Sequence, residues 1–157
     1  MKESLFNIIA EYIDGADVLD LFAGTGSLGI EALSRGADSV IFVDKSTECF
    51  SIISENLVRT KLLDRASICT GEVISVLEKL SHKSAKFDIV FMDPPYNKNF
   101  IAGILKIITK NGIINKDGII IAEHDVDDIV PEEVGKLILV RNQKYGDTIL
   151  SFYKACE

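Results

Sequence analysis

The chain is expected to fold as an α/β domain: a doubly wound, mostly parallel sheet that closes in an antiparallel hairpin. Three observations carry this expectation. Short β-rich apolar runs alternate with segments of helical period along most of the length. One strand-like run passes through three glycines directly into a helical segment. After Pro131 the pattern changes to two β-like runs joined by turn residues, with no helix between them.

The elements follow in order. Leu5, Phe6, Ile8, Ile9, Tyr12 and Ile13 share one helical face that stops at Gly15, so the opening segment should pack as a helix on the sheet. Strands are expected at 17–22, 39–44, 66–70, 87–93 and 118–123. Between them, Leu28, Ala32 and Leu33, and then Cys49, Ile52, Ile53 and Leu57, recur at helical spacing and mark crossover helices. The runs at 137–140 and 148–153, joined through Lys144-Tyr145-Gly146-Asp147, make the hairpin. With no repeat, low-complexity stretch or linker, residues 1–157 are expected to form a single domain.

Composition narrows the function. A chain of 157 residues can bury roughly 68–70% of its unfolded surface without help from disulfides or a structural metal. Cys49, Cys69 and Cys156 form an odd set with no C-x-x-C pair, which fits a reducing, cytoplasmic setting. Glu3, Glu11 and Asp14 interrupt the apolar N-terminus, so it is not a signal peptide, and no apolar run is long enough to span a bilayer. A net charge of −7 argues against holding nucleic acid by bulk electrostatics, because that mode needs surplus Lys and Arg to displace counterions.

The first chemical motif is Asp20-Leu21-Phe22-Ala23-Gly24-Thr25-Gly26-Ser27-Leu28-Gly29. Its glycines let the backbone turn tightly and approach a ligand, and the helix start offers unpaired N–H groups. Nicotinamide, flavin and S-adenosylmethionine sites all share this pattern. Asp44 closes the second strand, where an acid can accept hydrogen bonds from both hydroxyls of a ribose; a helix cap by Asp44 or Ser46 is the competing role. The third strand leads into Gly71-Glu72-Val73, where an acidic side chain or a backbone N–H could meet an adenine edge, or simply begin a helix.

The second motif separates the cofactors. The run 87–92 leads into Asp93-Pro94-Pro95-Tyr96 at the carboxyl end of the expected sheet. The lone pair of an exocyclic amine is delocalised into its ring, so the amine is a poor nucleophile until acceptors draw it toward a pyramidal geometry. The Asp93 carboxylate and the Pro94 carbonyl can supply two rigid acceptors, and Tyr96 can stack on the base, a contact worth about 1–3 kcal/mol. A dehydrogenase has no evident use for such a loop.

With both motifs, Arg35-Gly36-Ala37 and the Tyr145-Gly146-Asp147-Thr148 turn, the chain resembles the class I S-adenosylmethionine-dependent methyltransferases. Within that class it resembles the RsmD-type family of small-subunit ribosomal RNA guanine-N2 methyltransferases. The helix from Lys2 to Ile9 and the Tyr-Gly-Asp-Thr turn point to this family in particular. The resemblance implies a Rossmann-like, seven-stranded sheet with its last strand antiparallel beside the fifth. It implies S-adenosyl-L-methionine contacts at Asp20, Phe22, Gly24, Gly26, Asp44, Lys45, Glu72, Val73 and Asp93, and target-base chemistry at Asp93, Pro94, Pro95 and Tyr96. The implied partner is ribosomal RNA or a small-subunit ribonucleoprotein particle. Members usually carry a basic β-rich segment before the first helix, whereas this chain begins inside that helix, so it is expected to bind cofactor yet grip RNA weakly and methylate it poorly or not at all. Adenine-N6 methylation and a non-catalytic cofactor-binding module are the alternatives.

Other residues carry less. His82 and His124 lack ligand spacing, so surface or satisfied polar roles are expected and no metal is. Glu123-His124-Asp125 follows the fifth strand at the same edge of the sheet as the site, where it could line the substrate mouth, although a solvated loop is the expected reading; the remaining Lys and Arg are scattered among acids.

Overall fold

The computed structural model describes residues 1–95 and 100–156. Its strands are β1 (Asp17–Leu21), β2 (Ser39–Asp44), β3 (Ala66–Thr70), β4 (Phe87–Met92), β5 (Ile114–Asp125), β6 (Glu133–Val134), β7 (Leu137–Tyr145) and β8 (Thr148–Ala155). They form one sheet in the order β3-β2-β1-β4-β5-β8-β7-β6. The first five strands are parallel, and β8 returns antiparallel between β5 and β7. The hairpin and the insertion of the last strand beside the fifth are as the sequence implies. The seven implied strands gain an eighth at the edge, where Glu133 and Val134 pair with Ile138 and Leu137. Two residues leave no alternation to read.

The helices are α1 (Lys2–Ile8), α2 (Ala10–Ile13), α3 (Ser27–Ser34), α4 (Thr47–Arg59), α5 (Val73–His82) and α6 (Phe100–Lys110). They cover both faces of the sheet because strand side chains alternate in direction. Val18 points into a core shared with α1 to α4, while Leu19 and Leu21 point into one shared with α5 and α6. Each fully buried Leu or Phe of these cores stabilises the fold by about 1.5–3 kcal/mol. α3 lies so close to the sheet that a Cβ at Gly29 would stand 2.3 Å from Phe42 Cε1. Only glycine fits there, which explains the third glycine of the loop.

Two elements differ from the sequence expectation. The opening helix is broken at Ile9 (φ −99°, ψ 14°) into α1 and α2, while its apolar face stays on the sheet. β5 is longer than 118–123: it begins at Ile114, shifts register across Asp117 (φ 65°), and runs on to Asp125 opposite Thr148. Its far end is held by ladder bonds to β8, so the strand expected to end at Glu123 continues through His124 and Asp125, which are not a solvated loop. Among the described residues no helix is long and apolar enough to cross a membrane.

Candidate active site

In an open α/β sheet, ligands bind where the strand order reverses, outside the carboxyl ends of the strands. Here that reversal lies between β1 and β4. At this edge a cleft of about 640 Å³ is lined by Phe22, Asp44, Lys45, Gly71, Glu72, Val73, Ile74, Asp93, Pro94, Pro95, Phe100 and Ile104. It thus gathers nine of the residues singled out from the sequence, drawn from the carboxyl ends of four different strands and the loops after them. Gly24, Gly26 and Asp20 lie outside the lining, and Tyr96 falls outside the described residues.

The glycine loop takes its shape from left-handed backbone. Gly24 (φ 60°) and Gly26 (φ 81°) both occupy that region. A Cβ on Gly24 would meet nothing within 4 Å, so its backbone is open to a ligand, whereas one on Gly26 would press on Ile53 and Phe42 at 3.2–3.3 Å. Phe22 is also left-handed (φ 58°), an unfavourable conformation for an aromatic residue, and one that turns the chain into the loop while its side chain joins the cleft wall. Comparing two truncations isolates this strain. Phe22→Gly is expected to be more stable than Phe22→Ala by about 1–2 kcal/mol in denaturant titrations, with both losing cofactor affinity alike. Equal stabilities would contradict a strained Phe22.

Asp20 lies on the face of β1 toward α3 and is 3% exposed; its Oδ2 accepts the Gly29 N–H at 3.1 Å. It braces the first turn of α3 from beneath the loop. Burial pushes its carboxyl up to about 8, the Gly29 N–H pulls it back in part, and the charges of Asp93 and Asp44 add to the rise. The folded chain therefore keeps a proton that the unfolded chain releases above its ordinary value of 3.8. This stabilisation is fully present below 3.8 and is lost as the pH rises to about 8. Asp20→Asn should flatten that slope in denaturation midpoints measured across the range. An unchanged slope would mean that Asp20 is ionised throughout.

Asp44, at the end of β2, braces the neighbouring loops with both oxygens. Oδ2 accepts the Gly24 N–H at 3.0 Å and Oδ1 accepts the Ser46 N–H at 3.0 Å. Ser46, not Asp44, caps α4, with Oγ accepting the Cys49 N–H at 3.2 Å. Each carboxylate oxygen keeps a further lone pair for a ligand hydroxyl. Glu72 stands at the N-cap of α5 with no side-chain capping bond, and Gly71 is tied to β2 through its N–H on the Asp44 carbonyl at 3.0 Å. Ile74, Phe100 and Ile104 complete an apolar wall that sequence reasoning missed. Ile74 and Phe100 are 48% and 41% exposed, although their helical spacing alone reads as ordinary core.

The chain leaves β4 through Asp93, which is open to solvent along the cleft, then buried Pro94 and exposed Pro95. The strand ends packed behind Asp93 raise its carboxyl above the usual range by burial. Glu123, half-buried at the end of β5, is raised by burial and then by the charge of Asp93. His124 is buried and satisfied, its Nε2 2.7 Å from Ser151 Oγ and its Nδ1 2.9 Å from the Asp125 carbonyl. The Tyr-Gly-Asp-Thr turn joins β7 to β8 and ties this corner together. Tyr145 OH bonds Ser4 Oγ on α1, and the Asp147 carbonyl accepts the Val126 N–H at 2.8 Å.

A sheet of this order, with an acid after β2 and Asp-Pro-Pro after β4 converging on one crevice, is the architecture of the class I S-adenosylmethionine-dependent methyltransferases. Residues 1–154 match the family described as Conserved hypothetical protein 95, and the chain belongs to that family, the RsmD-type ribosomal RNA methyltransferases. It is 39% identical to YlbH of Bacillus subtilis over 154 residues, covering 98% of this chain and 84% of that protein. It is 33% identical to ribosomal RNA small subunit methyltransferase D of Haemophilus influenzae over 141 residues, covering 84% and 69% respectively. The solved structure of a conserved hypothetical protein from Streptococcus pyogenes superposes with a TM-score of 0.91 at 31% identity, over 99% of this chain and 95% of that one.

Proposed function

We propose that this protein methylates the N2 amine of a guanine in small-subunit ribosomal RNA. The observation that carries the reading is the position of Asp93-Pro94-Pro95 on the rim of the same cleft that Asp44, Glu72 and Val73 line. A group that activates an amine and groups suited to an adenosyl ligand thus share one crevice.

The residues present fit S-adenosylmethionine. Asp44 offers spare lone pairs to the ribose hydroxyls, the open backbone at Gly24 allows close approach, and Val73, Ile74 and Phe100 offer an apolar wall to the adenine. When bound, the cofactor supplies an electrophilic methyl group carried on a positively charged sulfur. Asp44 and Asp93 give this end of the sheet an acidic character that suits a cationic ligand. Asp93 accepts one amine hydrogen and the Pro94 carbonyl the other, which turns the nitrogen lone pair toward the methyl group. Consecutive prolines hold both acceptors rigid, so little reorganisation is needed as the transition state forms. Alignment of this kind can lower a barrier by about 7–11 kcal/mol. A guanine within a duplex must first be flipped out.

The test is calorimetric titration with S-adenosylhomocysteine and with NAD, followed by transfer of a radiolabelled methyl group into small-subunit ribosomal RNA. Binding of the first ligand alone, with label recovered in RNA, is the expected result. A preference for NAD would overturn the reading.

A further inference from the structure

Beside Asp93 stands a second carboxylate that the chemistry above does not use. β4 and β5 run parallel with Met92 opposite Ala122, so the next residues stand side by side: Asp93, leaving the end of β4, and Glu123, still within β5. Adjacent strands lie about 4.8 Å apart, and paired positions of parallel strands project to the same face. Glu123 is held in place from its other side by the ladder, opposite Leu150 of β8. Among the described residues its carboxylate makes no hydrogen bond or salt bridge, while it is close enough to feel the charge of Asp93. Two neighbouring like charges, one of them on the cleft wall and neither in a salt bridge with Lys or Arg among the described residues, repel each other unless a group rich in donors enters.

The chemistry of the two purines decides which group that is. The pairing edge of guanine presents the N2 amine next to N1–H, two donors in a row. The edge of adenine presents the N6 amine next to a bare N1, which is an acceptor. A pair of carboxylates matches the first edge and repels the second. We infer that Glu123 is the residue that selects the base, its carboxylate accepting the guanine N1–H while Asp93 and Pro94 hold the N2 amine. This rests on the guanine reading above and assigns the discrimination to one side chain. Sites built to hydrogen-bond a substrate group reject the analogue lacking it far more strongly than apolar pockets reject a missing methylene.

The experiment uses 2-aminopurine, which keeps the amine at C2 but carries a bare acceptor at N1. The modified position in small-subunit ribosomal RNA is mapped by mass spectrometry, and a fragment spanning it is made with guanine or 2-aminopurine at the target. The wild-type protein should favour guanine in kcat/KM by about 10³-fold or more. Glu123→Gln should lose about 30-fold or more on guanine and less on 2-aminopurine, because the glutamine amide can donate to a bare N1. The preference should therefore shrink at least about tenfold. S-adenosylhomocysteine affinity, unchanged in the variant, shows that the fold and the cofactor site survive. With N2-methylguanine as the product, the same preference in variant and wild type overturns the role of Glu123 and leaves the guanine reading intact. A wild type that makes N6-methyladenine, or modifies no guanine, overturns both.

Discussion

Asp93→Ala is expected to lower the single-turnover rate of methyl transfer about 10²–10³-fold, while the affinity for S-adenosylhomocysteine changes by less than about threefold. The separation follows from what the side chain does. Its carboxylate acts on an amine whose lone pair becomes available only as the transition state forms, so its contribution is differential and not uniform binding. Asp93→Asn, which keeps an acceptor oxygen but loses the charge, should fall between wild type and alanine. Acid should inhibit at a pH above the ordinary carboxylate range, because burial raises the Asp93 carboxyl and the accepting form is lost as the pH falls through that raised value. In Asp93→Asn this acid limb should weaken. A near-normal single-turnover rate for Asp93→Ala would remove the proposed activation.

Asp44→Ala should have the opposite signature, with cofactor affinity falling about two orders of magnitude and the chemical step changing less at saturating cofactor. Two charge-assisted hydrogen bonds to a ribose are worth about 1.5–3 kcal/mol each, and every 1.4 kcal/mol is about tenfold. The same substitution releases the Gly24 and Ser46 N–H groups that Asp44 holds, so the glycine loop also loses its brace. Thermal denaturation gives a second readout. A ligand at 100 times its dissociation constant stabilises the native state by about 2.7 kcal/mol, or about 5–10 °C in Tm for a domain of this size. That shift should be nearly absent in Asp44→Ala at the same ligand concentration. Gly26→Val should abolish it as well, since the left-handed backbone and the contacts with Ile53 and Phe42 leave no room for a branched side chain. An undiminished shift in Asp44→Ala would show that the ribose lies elsewhere.

These expectations start from residues that the sequence already displays, and the reasons are local. A glycine loop between a strand and a helix, an acid closing the next strand and a proline pair after the fourth each constrain their own backbone. Once the strands are parallel, their carboxyl ends must converge. What the sequence conceals depends on partners far along the chain. The end of β5 reads as a polar loop beyond Glu123; the return of β8 makes it strand, and the pairing of β5 with β4 brings Glu123 beside Asp93. The two-residue β6 exists because β7 offers it an edge. Ile74 and Phe100 carry the helical spacing of core residues, and nothing in that spacing says that the sheet stops short of covering them. Asp20 is the converse case. Its place at the head of the glycine motif suggests a ligand contact, yet the alternation along β1 turns it toward α3 and into the protein interior.

The measurement that bears most directly on the proposed function is nucleoside mass spectrometry of small-subunit ribosomal RNA after reaction with isotopically labelled S-adenosylmethionine. The label should appear as N2-methylguanosine and be lost with Asp93→Ala while S-adenosylhomocysteine still binds. Label on a ribose hydroxyl or a ring carbon, or transfer that survives Asp93→Ala undiminished, would contradict the proposed function.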